Sequence, residues 1–185
     1  MKKLDRSSIV LLAAGLAAAA MAADAAPPPG AGRAISIDSS EIRAAVAEAP
    51  PTGLKDAVLR VLPVGNEYNV GVAAVRRVRV DGKTPHDAVE HHQVTEVYQI
   101  VQGGGTLVTG GELEQKSEMD KAELIAELGP TARGERIVNG VSRQVAVGDV
   151  IVIPAGVPHG FSEIAPEGVT YLLVRFDPHR VLKTR

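Results

Sequence analysis

Short runs of β-branched residues, separated by glycine- and proline-containing turns, fill most of the chain after residue 56. Such runs favour strands, because Val, Ile and Thr fit the pleated surface of a sheet. Gly65-Asn66 is typical of a hairpin turn, and the triplet Gly103-Gly104-Gly105 predicts another tight hairpin. The predicted strands are 57–64, 68–80, 95–102, 106–109, 136–138, 142–147, 150–153 and 169–176. Many short strands with few helices predict an all-β protein, an antiparallel barrel or jelly roll.

One helix is predicted ahead of the strands, at residues 38–49. Asp38 can cap its N-terminus, with Glu41 three residues further on, and Pro50-Pro51 stops it. Its apolar residues share one helical face. We therefore expect this short helix to dock on the outside of the barrel.

A charged stretch at residues 112–134 interrupts the strand pattern. Within it, residues 117–128 have the pattern of a short helix, with Ser117 as its N-cap and Gly129-Pro130 at its end. The stretch is equally consistent with a loop or with a lid over the barrel mouth. The sequence therefore predicts an insertion and leaves its conformation open.

Residues 1–25 have the layout of a secretory signal peptide. A basic head precedes an uncharged apolar run at 9–20, and small residues then offer cleavage after Ala22 or Ala25. The run is short and rich in Ala for a membrane span, so cleavage is favoured over an uncleaved anchor. Residues 26–37 are predicted to form a flexible spacer. These features indicate a periplasmic or secreted bacterial protein, with no membrane association after cleavage.

Charge and composition argue against a nucleic-acid partner. The formal net charge is −2, and only 3% of the residues are aromatic, with no Trp. The chain therefore lacks both a basic field for phosphates and a stacking platform for bases. The absence of Cys also removes thiol nucleophiles, thiolate ligands and disulfides. A small-molecule ligand is the expected partner.

The segment from residue 90 to residue 103 places imidazoles and carboxylates at the entrance to a predicted strand. Successive residues of a strand face opposite sides, so Glu96 and Tyr98 point the same way, and His92 and Glu90 continue that series. His91 joins them only if the strand carries a bulge. The choice between the two histidines stays open at this point.

A second segment, residues 148–159, ends a strand on the turn Pro154-Ala155-Gly156 and delivers His159 at the head of the next strand. Imidazole nitrogens and carboxylate oxygens in an open set of three or four ligands suit Fe(II), Mn(II), Ni(II) or Zn(II). A divalent metal is therefore the expected cofactor. The candidate metal ligands are His91, His92, Glu96, His159 and Glu90.

The two segments together resemble the paired motifs of the cupin superfamily, over roughly residues 70–176. The second motif is matched fully by Gly148, Pro154, Gly156 and His159. Glu163 stands where the family often has Asn.

The first cupin motif is matched in part. Glu96 and Gly103 fit it, and either His92 or His91 stands for its second histidine, with a three- or four-residue gap before Glu96. The motif's first histidine is absent, because Glu90 occupies that position in one register and Val89 in the other.

The resemblance implies a cupin-type β-barrel over residues 56–177, followed by a tail at 178–185. Tyr98 is the candidate catalytic residue, as a hydroxyl in the lumen, and ordinary barrel packing is the alternative. Arg77, Arg79 and Arg175 lie on predicted strands, where an inward-facing arginine can bind a carboxylate substrate, although an outward, solvated face is the commoner outcome. The alternative to metal binding for Glu96 is an ion pair with an inward arginine such as Arg77 or Arg175.

Two functions follow from the resemblance. The first is a metal-dependent enzyme acting on a small polar molecule, in a dioxygenase- or isomerase-like reaction. The second is a non-enzymatic barrel that binds a small ligand, with a structural metal or none. Cupin barrels often pair through sheet edges, so a homodimer is expected in either case.

Overall fold

The computed structural model describes residues 34–47, 53–80 and 87–185. The predicted signal peptide, most of the spacer and Pro50-Pro51 lie outside the described residues. The elements in chain order are α1 (Ser39–Ala47), β1 (Leu54–Val64), β2 (Tyr68–Arg77), β3 (Ala88–His91), β4 (Thr95–Thr109), β5 (Glu112–Glu114), β6 (Ser117–Glu118), α2 (Ala122–Leu128), β7 (Thr131–Gly134), β8 (Arg136–Val138), β9 (Val141–Ala146), β10 (Val150–Ile153) and β11 (His159–Asp177).

Every pairing among the described strands is antiparallel. The larger sheet follows the order β1-β2-β11-β3-β7-β6, and β4 joins it on β11 while also carrying β9 and β10. β5 and β8 form a separate pair. The prediction of an all-β, antiparallel jelly roll with a short N-terminal helix is confirmed.

The core lies on the inward faces of the long strands. In β4, Glu96, Tyr98 and Ile100 are buried, whereas Gln99 and Val101 between and beyond them are exposed. This alternation is the period of two that a half-buried strand requires. The main core cluster consists of Ala73, Val75, Tyr98, Ile100, Leu107, Val145, Ile153, Phe161, Ile164, Val169, Tyr171 and Leu173.

The N-terminal part of the fold follows its sequence pattern closely. β1 and β2 form the predicted hairpin, in which Val64 pairs with Tyr68 across the turn. The helix α1 lies within the predicted range and is tied to β1 by a two-pronged ion pair from Arg60 to Glu41, at 2.7 and 3.1 Å. None of the residues of α1 is buried, so the helix lies on the outer side, as expected.

The predicted hairpin at Gly103-Gly104-Gly105 is wrong, because β4 runs through the triplet without turning. A Cβ atom at Gly103 would lie 1.9 Å from the Gly168 carbonyl oxygen, and the Gly103 φ is +67°. The glycines thus admit the backbone of β11 at a corner of the sheet. The first part of β4 pairs with β10, and the part that begins at Gly104 pairs with β9, where Gly104 lies opposite Ala146.

The insertion contains a helix that is shorter than predicted. Ser117 lies in β6, opposite Arg133, and not at a helix N-cap. The helix α2 begins after Lys121 and ends at Gly129, which has a φ of +75°. Its end is therefore as predicted, while its start is set by pairing of β6 with β7. Neither described helix is long and apolar enough to cross a membrane.

The last eight residues pack back on the barrel. The Asp177 carboxylate accepts hydrogen bonds from the backbone of Val181, at 3.0 Å, and Leu182, at 2.8 Å. Leu182 is 3% exposed and packs in a small apolar cluster with Val61. Arg185 exchanges two backbone hydrogen bonds with Val61. The fold therefore extends to the last residue and does not end at Asp177.

Candidate metal centre

Three side chains from three strands converge inside the jelly roll. His91 is the last residue of β3, Glu96 the second of β4 and His159 the first of β11, and all three are buried. The Nε2 atom of His91 lies 3.4 Å from Glu96 Oε1, and the Nε2 atom of His159 lies 3.3 Å from Glu96 Oε2. One potential ligand atom from each residue lies within 4.8 Å of the others. This is the size of a single-ion site.

The second motif segment brings His159 to this point through its turn. After β10 ends at Ile153, the chain turns through Gly156, which has a φ of +79° that favours glycine. The Gly156 amide donates to the His91 carbonyl oxygen at 2.7 Å, so the turn is tied directly to β3. His159 then pairs with Val89 of β3 in the antiparallel ladder.

Hydrogen bonds on the far side of each ring fix which nitrogen faces Glu96. The Thr131 hydroxyl donates to the Gly129 carbonyl oxygen at 2.9 Å, so its oxygen accepts from His91 Nδ1 at 2.8 Å. His159 Nδ1 donates to the Val157 carbonyl oxygen at 3.0 Å. A neutral imidazole protonated on Nδ1 presents a lone pair at Nε2. Both rings thus aim lone pairs at the carboxylate.

Burial keeps the His91 ring neutral. It lowers the pKa of His91 from 6.5 to about 4, although the Glu96 charge works in the opposite direction. His159 Nε2 is buried without a hydrogen-bond partner among the described residues. Two lone pairs and a carboxylate repel one another unless a cation lies between them. The donor set therefore fits a divalent metal ion.

Glu96 is held from behind by Arg175 and Tyr98. Arg175 Nε donates to Glu96 Oε1 at 2.9 Å, and the Tyr98 hydroxyl donates to Glu96 Oε2 at 2.9 Å. Burial alone would raise the pKa of Glu96, but the charged Arg175 guanidinium holds it well below its ordinary value. The carboxylate is thus an ionised, oriented oxygen donor.

Arg175 is itself fixed by a second carboxylate. Its Nη2 atom lies 2.5 Å from Asp56 Oδ2, on β1. Burial would lower the pKa of Arg175, yet the Asp56 and Glu96 carboxylates raise it, so the guanidinium stays charged. Arg175 therefore pairs with Glu96, which is one of the two roles expected for an inward arginine.

Tyr98 lies in the interior beside the candidate site. Its ring stacks on Tyr171, with centroids 4.3 Å apart, and its hydroxyl contacts Glu96. Burial and the Glu96 charge raise the pKa of Tyr98 well above its ordinary value. Its hydroxyl is a neutral donor that orients Glu96.

His92 and Glu90 do not join the converging residues. Glu90 Oε1 contacts His92 Nδ1 at 3.1 Å and Lys116 at 2.9 Å, and His92 Nε2 lies 2.8 Å from Glu118. These four side chains form a separate, more exposed group. The expectation that His92 and Glu90 share a face with Glu96 is wrong, because the chain leaves strand geometry between His91 and Thr95. Alternation cannot be counted across such a break.

The structure places Val89 on the inner side, two residues before His91. Val89, His91 and Glu96 line the same inner cavity, of about 70 Å³, with Arg175 and Asp56. Val89 therefore stands where the first histidine of the cupin motif would be in the register that uses His91. His91, with its four-residue gap before Glu96, is the histidine that reaches the site.

A larger pocket, of about 700 Å³, lies outside this cavity and under the insertion. Its walls include Met119, Leu124 and Leu128 from the insertion and Arg133 from β7. Leu128 also lines the inner cavity, so the two spaces share this residue of α2. This outer pocket is hereafter called the mouth pocket.

Sequence reasoning missed Thr131 and Asp56. Thr131 lies in the insertion, where no pattern connects it with His91, and Asp56 comes from a strand that precedes both motifs. The signal available in the sequence was a charged residue within an apolar predicted strand, such as Arg175. Such a residue indicates that a carboxylate partner lies near it.

The strands form an antiparallel jelly roll, and the two motif segments bring two histidines and one carboxylate together inside it. No protein-family model matches the chain, and no curated protein sequence matches it at a significant level.

Several solved structures are similar to the chain in fold. One is KdgF from a Halomonas species, with 16% identity over 72% of this chain and 86% of that chain and a TM-score of 0.38. Another is a cupin-2 domain protein from Rhodospirillum rubrum, with 18% identity over 72% and 66% of the chains and a TM-score of 0.39. A third is a recombinant oxalate oxidase in complex with glycolate, with 19% identity over 72% and 55% and a TM-score of 0.39. These likenesses concern the fold alone.

Proposed function

We propose that the protein binds one divalent transition-metal ion through His91, Glu96 and His159 and acts on a small polar molecule that enters the jelly roll. The observation that carries the proposal is the convergence of two Nε2 lone pairs on one ionised carboxylate in a buried site. Two histidines and one carboxylate with open positions are the donor set of mononuclear iron(II) sites, and Mn, Ni and Zn also accept them.

A bound ion would supply Lewis-acid or redox chemistry to a molecule beside it, in a dioxygenase- or isomerase-like reaction. The chain's own residues prepare the site for this. Thr131 holds the His91 ring, and Arg175 and Tyr98 hold both oxygens of Glu96. Outer contacts of this kind orient ligands and tune their basicity.

The alternative is a small-ligand-binding barrel without turnover. Val89 favours this alternative, because a valine, which cannot bind a metal, stands where a fourth protein ligand would lie. Metal content is the first test, since a protein without metal cannot carry out the metal-dependent reaction. Turnover then separates an enzyme from a barrel with a structural metal.

The experiment is elemental analysis of the purified protein and two single-histidine variants. We expect close to one equivalent of Fe, Mn, Ni or Zn in the wild type and its loss in His159→Ala. His92→Ala is the matched control, because His92 lies next to His91 in the sequence but faces the exposed group with Glu118. It should keep the metal.

Equal metal loss in both variants would place the metal at the surface and contradict the assignment. No metal in the wild type, even after reconstitution with each of the four ions, would leave only the binding barrel. A metal that is retained without any turnover would leave that barrel with a structural ion.

A further inference from the structure

We infer that the molecule taken into the inner cavity is a small polyol or hydroxyaldehyde of about three carbon atoms. The inference rests on the proposed function in that it names the ligand class of the same site. Its support comes from individual polar atoms that make no hydrogen bond in the metal site.

Three buried polar atoms of the cavity-lining residues have no hydrogen-bond partner among the residues that the structure describes. They are Asp56 Oδ1, Asp87 Oδ1 and Arg175 Nη1. Buried polar groups are nearly always satisfied, so three such atoms around one cavity indicate that something polar belongs there. The set comprises two acceptors and one donor.

These atoms are held firmly in place by ion pairs at their other ends. Asp56 Oδ2 is bound by Arg175 Nη2, at 2.5 Å, and Asp87 Oδ2 is bound by Arg77 Nη1. The Arg175 side chain is only 3% exposed. The free oxygens and the free guanidinium nitrogen are therefore fixed binding groups.

The two unpartnered carboxylate oxygens select against an anion beside them. Asp56 Oδ1 and Asp87 Oδ1 each belong to a carboxylate, so they repel a negatively charged group at contact. A carboxylate ligand would pair with Arg175 but would meet the free oxygens of both aspartates. A hydroxyl group donates and accepts, so neighbouring hydroxyls can satisfy all three unpartnered atoms.

The size of the cavity limits the ligand. A volume of about 70 Å³ holds on the order of five water-sized groups. Leu54, Asp56, Asp87, Val89 and Leu128 line both this cavity and the mouth pocket, so the two spaces adjoin. A three-carbon chain with several hydroxyls fits this space.

The test compares three probes with the same carbon skeleton: glycerol, 1-propanol and propionate. Binding is followed by saturation-transfer NMR on the purified protein as isolated and again after dialysis against EDTA. Metal content is measured on the same preparations. We expect saturable binding of glycerol and none of 1-propanol or propionate.

Two variants test the groups involved. Asp87→Asn keeps the shape of the side chain but removes its charge, and we expect about tenfold weaker glycerol binding. Glu114→Gln is the matched control, since Glu114 also pairs with an arginine, Arg136, but outside the cavity. It should bind glycerol like the wild type. If Asp87→Asn does not fold, the comparison of the three probes on the wild type still decides.

Binding of propionate or 1-propanol at least as strong as that of glycerol would overturn the inference. A metal-containing protein that binds no glycerol would overturn it and leave the proposed function standing. Saturable glycerol binding in a protein that takes up no metal would support the inference and remove the metal-dependent function.

Discussion

Thr131 acts on the candidate metal site through a single hydrogen bond to His91 Nδ1. In Thr131→Val the side chain keeps its shape, but nothing accepts the Nδ1 proton and nothing binds the Gly129 carbonyl oxygen. We expect metal affinity to fall by about 10- to 100-fold, as is typical when an outer contact to a ligand is lost. Competition titration with a chromophoric chelator measures this.

Thr131→Ser is the control for that prediction, because it keeps the hydroxyl. Its metal affinity should stay near that of the wild type. An equal loss of affinity in the Val and Ser variants would show that the hydrogen bond does not orient His91.

Arg175 connects the buried Glu96 carboxylate with the half-buried Asp56 carboxylate, and its removal leaves both uncompensated. We expect Arg175→Met to lower the free energy of unfolding by about 3–5 kcal/mol, the usual effect of breaking a buried pair from one side. Arg185→Met removes a partly exposed pair with Glu127 and should cost no more than about 1 kcal/mol. Urea denaturation of the metal-free proteins gives both values, and similar losses would contradict a structural role for the buried network.

At the scale of elements, the corner in β4 depends on Gly103. Both Gly103 and Gly65 have positive φ, but a Cβ at Gly65 would meet nothing within 4 Å. Gly65→Ala should therefore cost only the backbone strain, about 1–2 kcal/mol. Gly103→Ala adds a clash with the Gly168 carbonyl oxygen, and we expect a total loss of about 3 kcal/mol or more.

Chemical denaturation of the two glycine variants checks this difference. The hairpin first predicted for the glycine triplet would make both positions simple turns, and the two losses would then be equal. A larger loss at Gly103 is the result that a continuous strand requires.

The insertion and the C-terminal residues pack against each other beside the candidate metal site. The Lys183 amide donates to the Ala126 carbonyl oxygen at 2.8 Å, which ties the end of the chain to α2. A Cβ at Gly129 would meet Val94 at 2.8 Å and Val181 at 3.3 Å, so α2 ends against the C-terminal residues. Thr131 follows directly. The position of His91 thus depends on packing between segments far apart in sequence.

At the scale of the whole molecule, export remains a prediction that rests on the first 25 residues. Expressed in full in a bacterial host, the protein should be recovered from the periplasm. Its mass should correspond to cleavage after Ala22 or Ala25. Full-length protein in the membrane fraction would indicate an uncleaved anchor instead, and deletion of residues 1–25 should keep the protein in the cytoplasm. The homodimer likewise stays a prediction.

The sequence by itself determined the class of fold and two of the three converging residues. Alternating valine-rich runs fix strands, since only that spacing buries one face of a sheet. Pro154, Gly156 and His159 stand in one short segment, where local turn geometry carries the histidine to its strand. The position of Glu96 could likewise be predicted from the sequence, because inward and outward residues alternate regularly along its strand.

Only the tertiary structure decided between His91 and His92, since the choice depends on where β3 stops and on the pairing of β3 with β11. Thr131 and Asp56 reach the site from two other strands, β7 and β1, and Arg175 reaches it from the far end of β11. Their contacts join residues 40 to 119 positions apart. Local periodicity reports which face a residue takes, but not which distant residue lies opposite, because that partner is set by sheet order and register.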